Sequence, residues 1–375
     1  MREILRDQLN ILQQTAALRT LPLTAHPGVD LLSNDYLGIA ANTVLYEQFV
    51  LDWFGAGGGA SSASASRLLG GNAVSSASLE ETASAIFKRD VLYLNSGYHA
   101  NIGILPALTA RGDLILADKA IHASLIDGAR LTQAKLLRYP HQDLTALEAL
   151  LRQHRAAYRR VWIATESVFS MDGSCSDLRA ICALKQQYDA QLYVDEAHAV
   201  GIFAEGRGLA QAQGVLDQID ICVMPCAKAL ASYGALVLCD AVLRTYLINH
   251  CRSLIFASAL PPIVTAWTEY VLKHLVDFTP QRQKIQRHSQ MLRQALGLKT
   301  DGLLSPIVAW VIGENAPTMN LAAALAAEGI HVGAIRHPTV PQGAAQLRLC
   351  VHAGLSSSEI DEVIKTIQRH TKAVS

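Results

Sequence analysis

The chain has 375 residues, of which 50% are hydrophobic and 17% charged, enough apolar material for about two domains; a disordered chain and a small disulfide scaffold are excluded. Lys plus Arg and Asp plus Glu both total 32, so the formal net charge is zero. Nothing global draws the protein to nucleic acid or anionic lipid, and any charge chemistry must be local. No apolar run reaches the roughly 18 positions of a spanning helix, and the opening MREILRDQLNILQQ is charged rather than a secretory leader. With seven cysteines, an odd number, reduced thiols in a cytoplasmic protein are the expectation.

In chain order, Leu5, Leu9 and Leu12 read as one face of an amphipathic helix, which His26-Pro27-Gly28 breaks. Residues 1–36 are therefore expected to form an N-terminal arm. The GAGGGA run at 55–60 has half of a dinucleotide-loop pattern but follows a helix-like segment and precedes a serine-rich one, so it reads as a loop needing unusual backbone angles or close approach. Short β-rich runs then alternate with helical patterns, at 91–94, 114–117, 161–164, 191–194 and 235–238. Such strands, buried on both faces, predict a mostly parallel sheet covered by helices. Asp177 is placed to cap a helix whose buried face is Leu178, Ile181, Cys182 and Leu184. Cys222 and Cys226 lack a second ligand pair and read as core, with no metal site expected. After Pro261-Pro262 a more charged helical stretch runs to about 297, then strands at 307–311 and 347–351. A closing helix carries a Ser356/Glu359 capping box before Ile360, Val363, Ile364 and Ile367. The organisation expected is an arm (1–36), a large α/β domain (37–275) and a smaller α+β domain (276–375).

The chemistry concentrates at strand ends. Asp195, Glu196 and His198 arrive together after the 191–194 strand, at the end that faces the ligand crevice in open parallel sheets. Lys228 follows 33 residues after Asp195, among small and apolar neighbours. Desolvation there lowers a lysine's pKa and frees the amine for Schiff-base chemistry. A lysine that bonds an aldehyde, and an aspartate that keeps a pyridine nitrogen protonated, are what pyridoxal phosphate chemistry requires. A structural ion pair is the plainer reading of Asp195 and His198.

Beyond these groups, the segments SNDYLG (33–38), NSGYHAN (95–101), HASL (122–125), ESVFSMDG (166–173) and DEAHAVG (195–201), with Lys228, resemble the α-oxoamine synthases. These are a branch of the aspartate aminotransferase-like fold that uses pyridoxal 5'-phosphate. The resemblance spans nearly the whole chain and implies fold type I, with a large, mostly parallel sheet domain and a small α+β domain. It implies that His122 lies on the cofactor ring, Asp195 on the pyridine nitrogen, and His198 with Ser170 near the phenolic oxygen. Lys228 would carry the cofactor. Backbone groups of Gly97 and Tyr98 would hold its phosphate, with Ser258 reaching across from the partner in a homodimer. Ser167 is a further candidate contact, and His99 and His141 read as supporting or surface groups.

Arg348 and Asn34 would bind the amino-acid carboxylate. The AIRHPTVP segment at 334–341, with Arg336, and the ALR segment with Arg19 resemble the branch that joins L-alanine to a pimeloyl thioester in biotin synthesis, the acyl group arriving on coenzyme A or acyl carrier protein. Arg336 and Arg19 would then contact the acyl-chain region. A different amino acid or acyl chain, or a non-catalytic scaffold subunit, stays open at this point. The chain departs from the family pattern at Pro225, where a phosphate-binding Thr is usual, at Ser78, and at Gln346.

Overall fold

A computed structural model describes residues 1–14, 18, 21 and 27–372. Its principal sheet has seven strands, in spatial order Asp90–Leu94, Ala235–Cys239, Ile221–Pro225, Gln191–Asp195, Val161–Glu166, Leu114–Asp118 and Lys135–Tyr139. All run the same way except Ala235–Cys239, antiparallel to both of its neighbours. The five expected runs are all strands here, and those at 114–117, 161–164 and 235–238 are buried along their whole length. Each fully buried Val, Leu or Ile among them contributes about 1.5–3 kcal/mol relative to exposure. The resulting α/β architecture brings the carboxyl ends of six strands to one edge.

The Lys135–Tyr139 strand lies outside the expected set because it is an edge strand. Its Lys135 and Arg138 face solvent, so it has no continuous apolar run. The helical stretch expected through 262–297 divides in two. Pro262–Lys273 packs on the Val74–Phe87 helix, whereas Thr279–Ala295 packs on Ser357–Lys372 and the Ile307–Gly313 strand. The tight turn Leu275–Phe278 separates them, and Pro280 suits the first turn of the second helix because that position needs no N–H donor.

A second, antiparallel sheet joins Gly333–Ile335, Ala345–Cys350 and Ile307–Gly313. From the arm, Val29–Asp30 pairs with Ile330–His331, and Leu31 and Tyr36 are fully buried. The Arg2–Gln14 helix forms as expected, with its side chains exposed in the single chain. Asp177 caps Leu178–Gln187 through Ala180 N at 3.0 Å. Ser356 N donates to Glu359 Oε2 at 2.6 Å while Glu359 N donates to Ser356 Oγ at 3.2 Å, completing the capping box. The glycine run is an exposed turn with one close approach, at Gly58. Gly57 has φ +81°, and a Cβ on Gly58 would meet the Trp53 ring at 2.3 Å. All seven cysteines are free thiols, and Cys222 and Cys226 lie in the core.

Candidate active site

Five strand ends of the principal sheet supply the site. Glu166 and Asp195 are register partners at the last residues of adjacent strands. Asp195 is nearly buried, and its two oxygens are both engaged: Oδ2 accepts from Asn101 Nδ2 at 2.8 Å and Oδ1 from Ala197 N at 2.9 Å. Tyr193, two residues back on the same strand face, donates its hydroxyl to Asn101 Oδ1 at 2.7 Å and thereby fixes the amide's orientation.

The same amide fixes the imidazole of His122. Asn101 Nδ2 donates to Ser124 Oγ at 2.8 Å, so the Ser124 hydroxyl proton goes to His122 Nδ1, also at 2.8 Å. Ser124 N reaches that nitrogen as well, His122 being the cap of the Ala123–Arg130 helix. Nδ1 is therefore the acceptor and Nε2 carries the proton in the neutral ring. Although its side chain is largely accessible in the single chain, burial by surrounding atoms holds His122 below its ordinary pKa, against the pull of Asp195. Glu166 accepts from the backbone N of His122. Burial, reinforced by Asp195, pushes the Glu166 carboxyl up to about 8.

Lys228 follows the Ile221–Pro225 strand, and its Nζ lies 2.8 Å from His198 Nε2. Burial lowers the Lys228 pKa, opposed by Asp195 and Glu166. His198 is nearly buried and held well below its ordinary value by that burial and then by Lys228, so it is neutral. Its Nδ1 is 2.7 Å from Tyr36 Oη, which in turn donates to Asn34 Oδ1 at 3.0 Å. The chain of bonds sets the tautomer: His198 donates from Nδ1 to Tyr36 and accepts from Lys228 at Nε2. Asn34 Oδ1 also accepts from Arg348 Nη2 at 3.2 Å, and Arg348 Nε donates to Ser170 O at 2.7 Å. Beside them, burial pushes the Cys350 thiol up to about 11. One polar chain thus runs from Arg348 through Asn34, Tyr36 and His198 to Lys228.

Gly97 opens the Gly97–Leu108 helix at the end of the first strand, with Ser96 Oγ capping His99 N at 3.1 Å. The N–H groups of Gly97 and Tyr98 have no partner inside the helix, as suits an anion. A Cβ on Gly97 would stand 2.5 Å from Pro225 Cγ, so glycine is required here by the proline that stands where the family pattern has Thr. Ser78 donates to Glu269 Oε1 at 2.9 Å, and Gln346 Nε2 to Met171 O at 2.8 Å, so both other departures have partners of their own.

The structure therefore gathers Lys228, His198, Asn34, Arg348 and Ser170 into one network and Asp195 and His122 into another. Ser258 is exposed; its carbonyl accepts from Asn95 Nδ2 at 2.7 Å. The Tyr98 hydroxyl donates to Asp127 at 2.7 Å. Arg336 lies beyond the Gly333–Ile335 strand, against Met319 Sδ at 2.8 Å, and Arg19 is outside the described residues. Sequence reasoning did not single out Tyr36, Asn101 or Glu166. All three sit inside recognised motifs, and Asn101, four residues after Gly97, shares its helix face; that spacing was the available signal.

A strand-end aspartate, a desolvated lysine and a helix N-terminus at one edge of a mixed sheet define the class of pyridoxal-phosphate-type transferases. The comparisons narrow the class. Residues 27–367 match the model of "Aminotransferase class I and II", and the chain belongs to that family. A Haemophilus ducreyi protein named 8-amino-7-oxononanoate synthase is 42% identical over 386 residues, covering 96% of this chain and 98% of that protein. A putative 8-amino-7-oxononanoate synthase of Glaesserella parasuis is 44% identical, covering 95% and 98%. Among solved structures, 8-amino-7-oxononanoate synthase from Francisella tularensis superposes with a TM-score of 0.78 at 28% identity, covering 92% of this chain and 98% of that one. Serine palmitoyltransferase from S. paucimobilis with a bound PLP–myriocin aldimine superposes with a TM-score of 0.87 at 25% identity, covering 99% and 97%.

Proposed function

We propose that this chain is a pyridoxal-5'-phosphate-dependent acyltransferase that condenses L-alanine with a pimeloyl thioester, on coenzyme A or acyl carrier protein, giving 8-amino-7-oxononanoate, CO2 and the free thiol in biotin synthesis. The observation that carries the reading is the desolvated Lys228 amine on neutral His198, joined by hydrogen bonds through Tyr36 to Asn34 and Arg348. Relatives more than 40% identical over nearly their whole length, and named for that activity, support it.

The residues present fit the cofactor: an anion site at Gly97 and Tyr98, an aspartate with both oxygens held, and a lysine with a depressed pKa. When bound, the cofactor supplies an electron sink for the pair left at the alanine α-carbon as a proton or CO2 departs. Lys228 holds the cofactor at rest and, once released, takes the α-proton on Nζ, its lowered pKa keeping the amine free to do so. His198, with its Nδ1–H committed to Tyr36, presents only an acceptor to that amine. Arg348 and Asn34 hold the alanine carboxylate until it leaves. His122 Nε2–H is the donor available to the thioester carbonyl oxygen as charge develops there. Ser170 stands beside this centre. Arg336, with Arg19 on the arm, is assigned to the acyl chain and its terminal carboxylate.

We infer the same division as the sequence suggests, an arm (1–36), a cofactor domain (37–275) and a smaller domain (276–375), working as a homodimer in which Ser258 completes the partner's phosphate site. Among the described residues no helix is long and apolar enough to cross a membrane. The higher TM-score of the serine palmitoyltransferase favours one second reading, serine with a longer acyl chain. Spectral titration of the cofactor-loaded protein with alanine, glycine and serine decides between them. A response to alanine, followed by a product of the expected mass on adding pimeloyl thioester, supports the proposal. A response to serine alone overturns it.

A further inference from the structure

We propose that His141, outside the network around Lys228, is the positioning residue for Arg348. Its imidazole pins the turn whose carbonyls fix that arginine and the small sheet against the large one. The inference rests on the reading that Arg348 takes the amino-acid carboxylate.

His141 is held on both ring nitrogens. Nδ1 lies 3.0 Å from Asp118 Oδ1, at the end of the Leu114–Asp118 strand. Nε2 lies 3.2 Å from Asp172 Oδ2 and 3.0 Å from Ser174 Oγ. The Ser174 hydroxyl donates to Asp172 Oδ1 at 2.8 Å, which leaves its oxygen free to accept from the imidazole. Phe169 closes the remaining side with its ring edge-on, centroid to centroid 4.3 Å. Asp118 is itself anchored by Ala120 N and Gln142 N, at 2.7 and 2.8 Å. The ring is therefore a strut between the end of one strand and the turn that follows its paired neighbour Val161–Glu166.

That turn, 169–174, closes on itself through Gly173 N to Phe169 O and Phe169 N to Ser174 O, both 3.0 Å. Three of its other carbonyls bond to Arg348 and Gln346 of the small sheet and to Ser305 just before it. Ser170 O accepts from Arg348 Nε at 2.7 Å, Met171 O from Gln346 Nε2 at 2.8 Å, and Gly173 O from Ser305 Oγ at 2.7 Å. Gly173 has φ +70°, and a Cβ there would meet Ile307 O at 2.3 Å, so the turn abuts the opposing strand with no room to spare. Arg348 has one guanidinium nitrogen on this turn and another on Asn34. Moving Ser170 O moves the arginine.

The charges around the strut are Asp118 and Asp172. Tyr139 and Glu166 lie near Asp118, while Arg293 and Cys175 lie near Asp172. Two carboxylates favour the doubly protonated ring despite partial burial, raising His141 to about 9. With both nitrogens donating, the strut is complete.

The test uses His141→Ala, His141→Gln and Asp172→Asn in the full chain. In the cofactor-loaded protein, alanine is titrated by the cofactor's absorbance. His141→Ala raises the apparent Kd for alanine roughly tenfold while cofactor affinity stays at the wild-type value, and His141→Gln recovers part of the loss. In cofactor-free protein, hydrogen exchange shows faster exchange at the amides of Phe169 and Gly173 with the 191–195 strand unchanged. Alanine titrations identical to wild type overturn the proposal, as does loosening of the turn without loss of alanine affinity. If His141→Ala does not fold, Asp172→Asn decides by the same two readouts. A wild-type protein that does not respond to alanine overturns the functional reading instead, which separates the two failures.

Discussion

The two sheets contribute to the site in different ways. At the edge of the seven-stranded sheet, burial and then Asp195 raise the Glu166 carboxyl, both carboxylates oppose the burial that lowers Lys228, and Lys228 adds to the burial that lowers His198. The three-stranded sheet sends one arginine, Arg348, into that cluster, and it reaches its place by bonds to Ser170 and Asn34. The first region is tuned chemically by burial and mutual charge. The second is tuned geometrically, by a seam of hydrogen bonds along the 169–174 turn. Changes in the first should therefore alter reactivity, and changes in the second should alter substrate affinity.

The largest expected effect is that of Lys228→Ala, which removes the residue we propose as both the cofactor's covalent anchor and the base, and lowers kcat by at least about a thousandfold. A loss confined to KM would break the comparison. Arg348→Ala comes next: it removes the charge-assisted contact proposed for the substrate carboxylate and raises the KM for alanine roughly 10- to 100-fold. An equal fall in kcat with KM unchanged would place Arg348 on the chemical side of the division.

The pH dependence sharpens the contrast further. His141 is raised to about 9 in the folded chain from an ordinary 6.5. Its stabilising contribution is full below pH 6.5 and is lost as pH rises through about 9, amounting to about 3 kcal/mol at most. Urea midpoints should fall between pH 6.5 and 9.5 by more in wild type than in His141→Gln. At a single pH, Glu166→Gln gives the smallest effect. The folded Glu166 carboxyl, at about 8 against an ordinary 4.5, stays protonated near neutrality while the unfolded chain's carboxyl ionises, so its contribution to stability is lost as pH rises from about 4.5 to about 8. Glu166→Gln should change stability at pH 6 by under about 1 kcal/mol and flatten the decline toward pH 8.5. A large loss at pH 6 would show that the carboxylate, rather than the carboxyl, is what the site requires.

Legibility in the sequence follows the same division. The buried strands around Asp195 and Lys228 read clearly, because apolar runs buried on both faces are interrupted by polar groups only at their ends. The Lys135–Tyr139 edge strand did not, since its solvent-facing Lys135 and Arg138 break the pattern. Lys228 and Asp195 were accessible from local context alone. Tyr36 was not: the bond that makes it matter joins residues 162 positions apart, and no local period reports that. His141 read as a supporting or surface group because its partners Asp118 and Asp172 come from different strand ends. The break in the 262–297 helical stretch is likewise tertiary, its two halves packing on different sheets' helices.

Carboxyl-labelled L-alanine, incubated with pimeloyl thioester and the cofactor-loaded protein, tests the central claim most directly. Labelled CO2 released in step with free thiol and 8-amino-7-oxononanoate, and abolished in Lys228→Ala, is the result predicted. Thiol release without labelled CO2, or turnover that persists in Lys228→Ala, would contradict it.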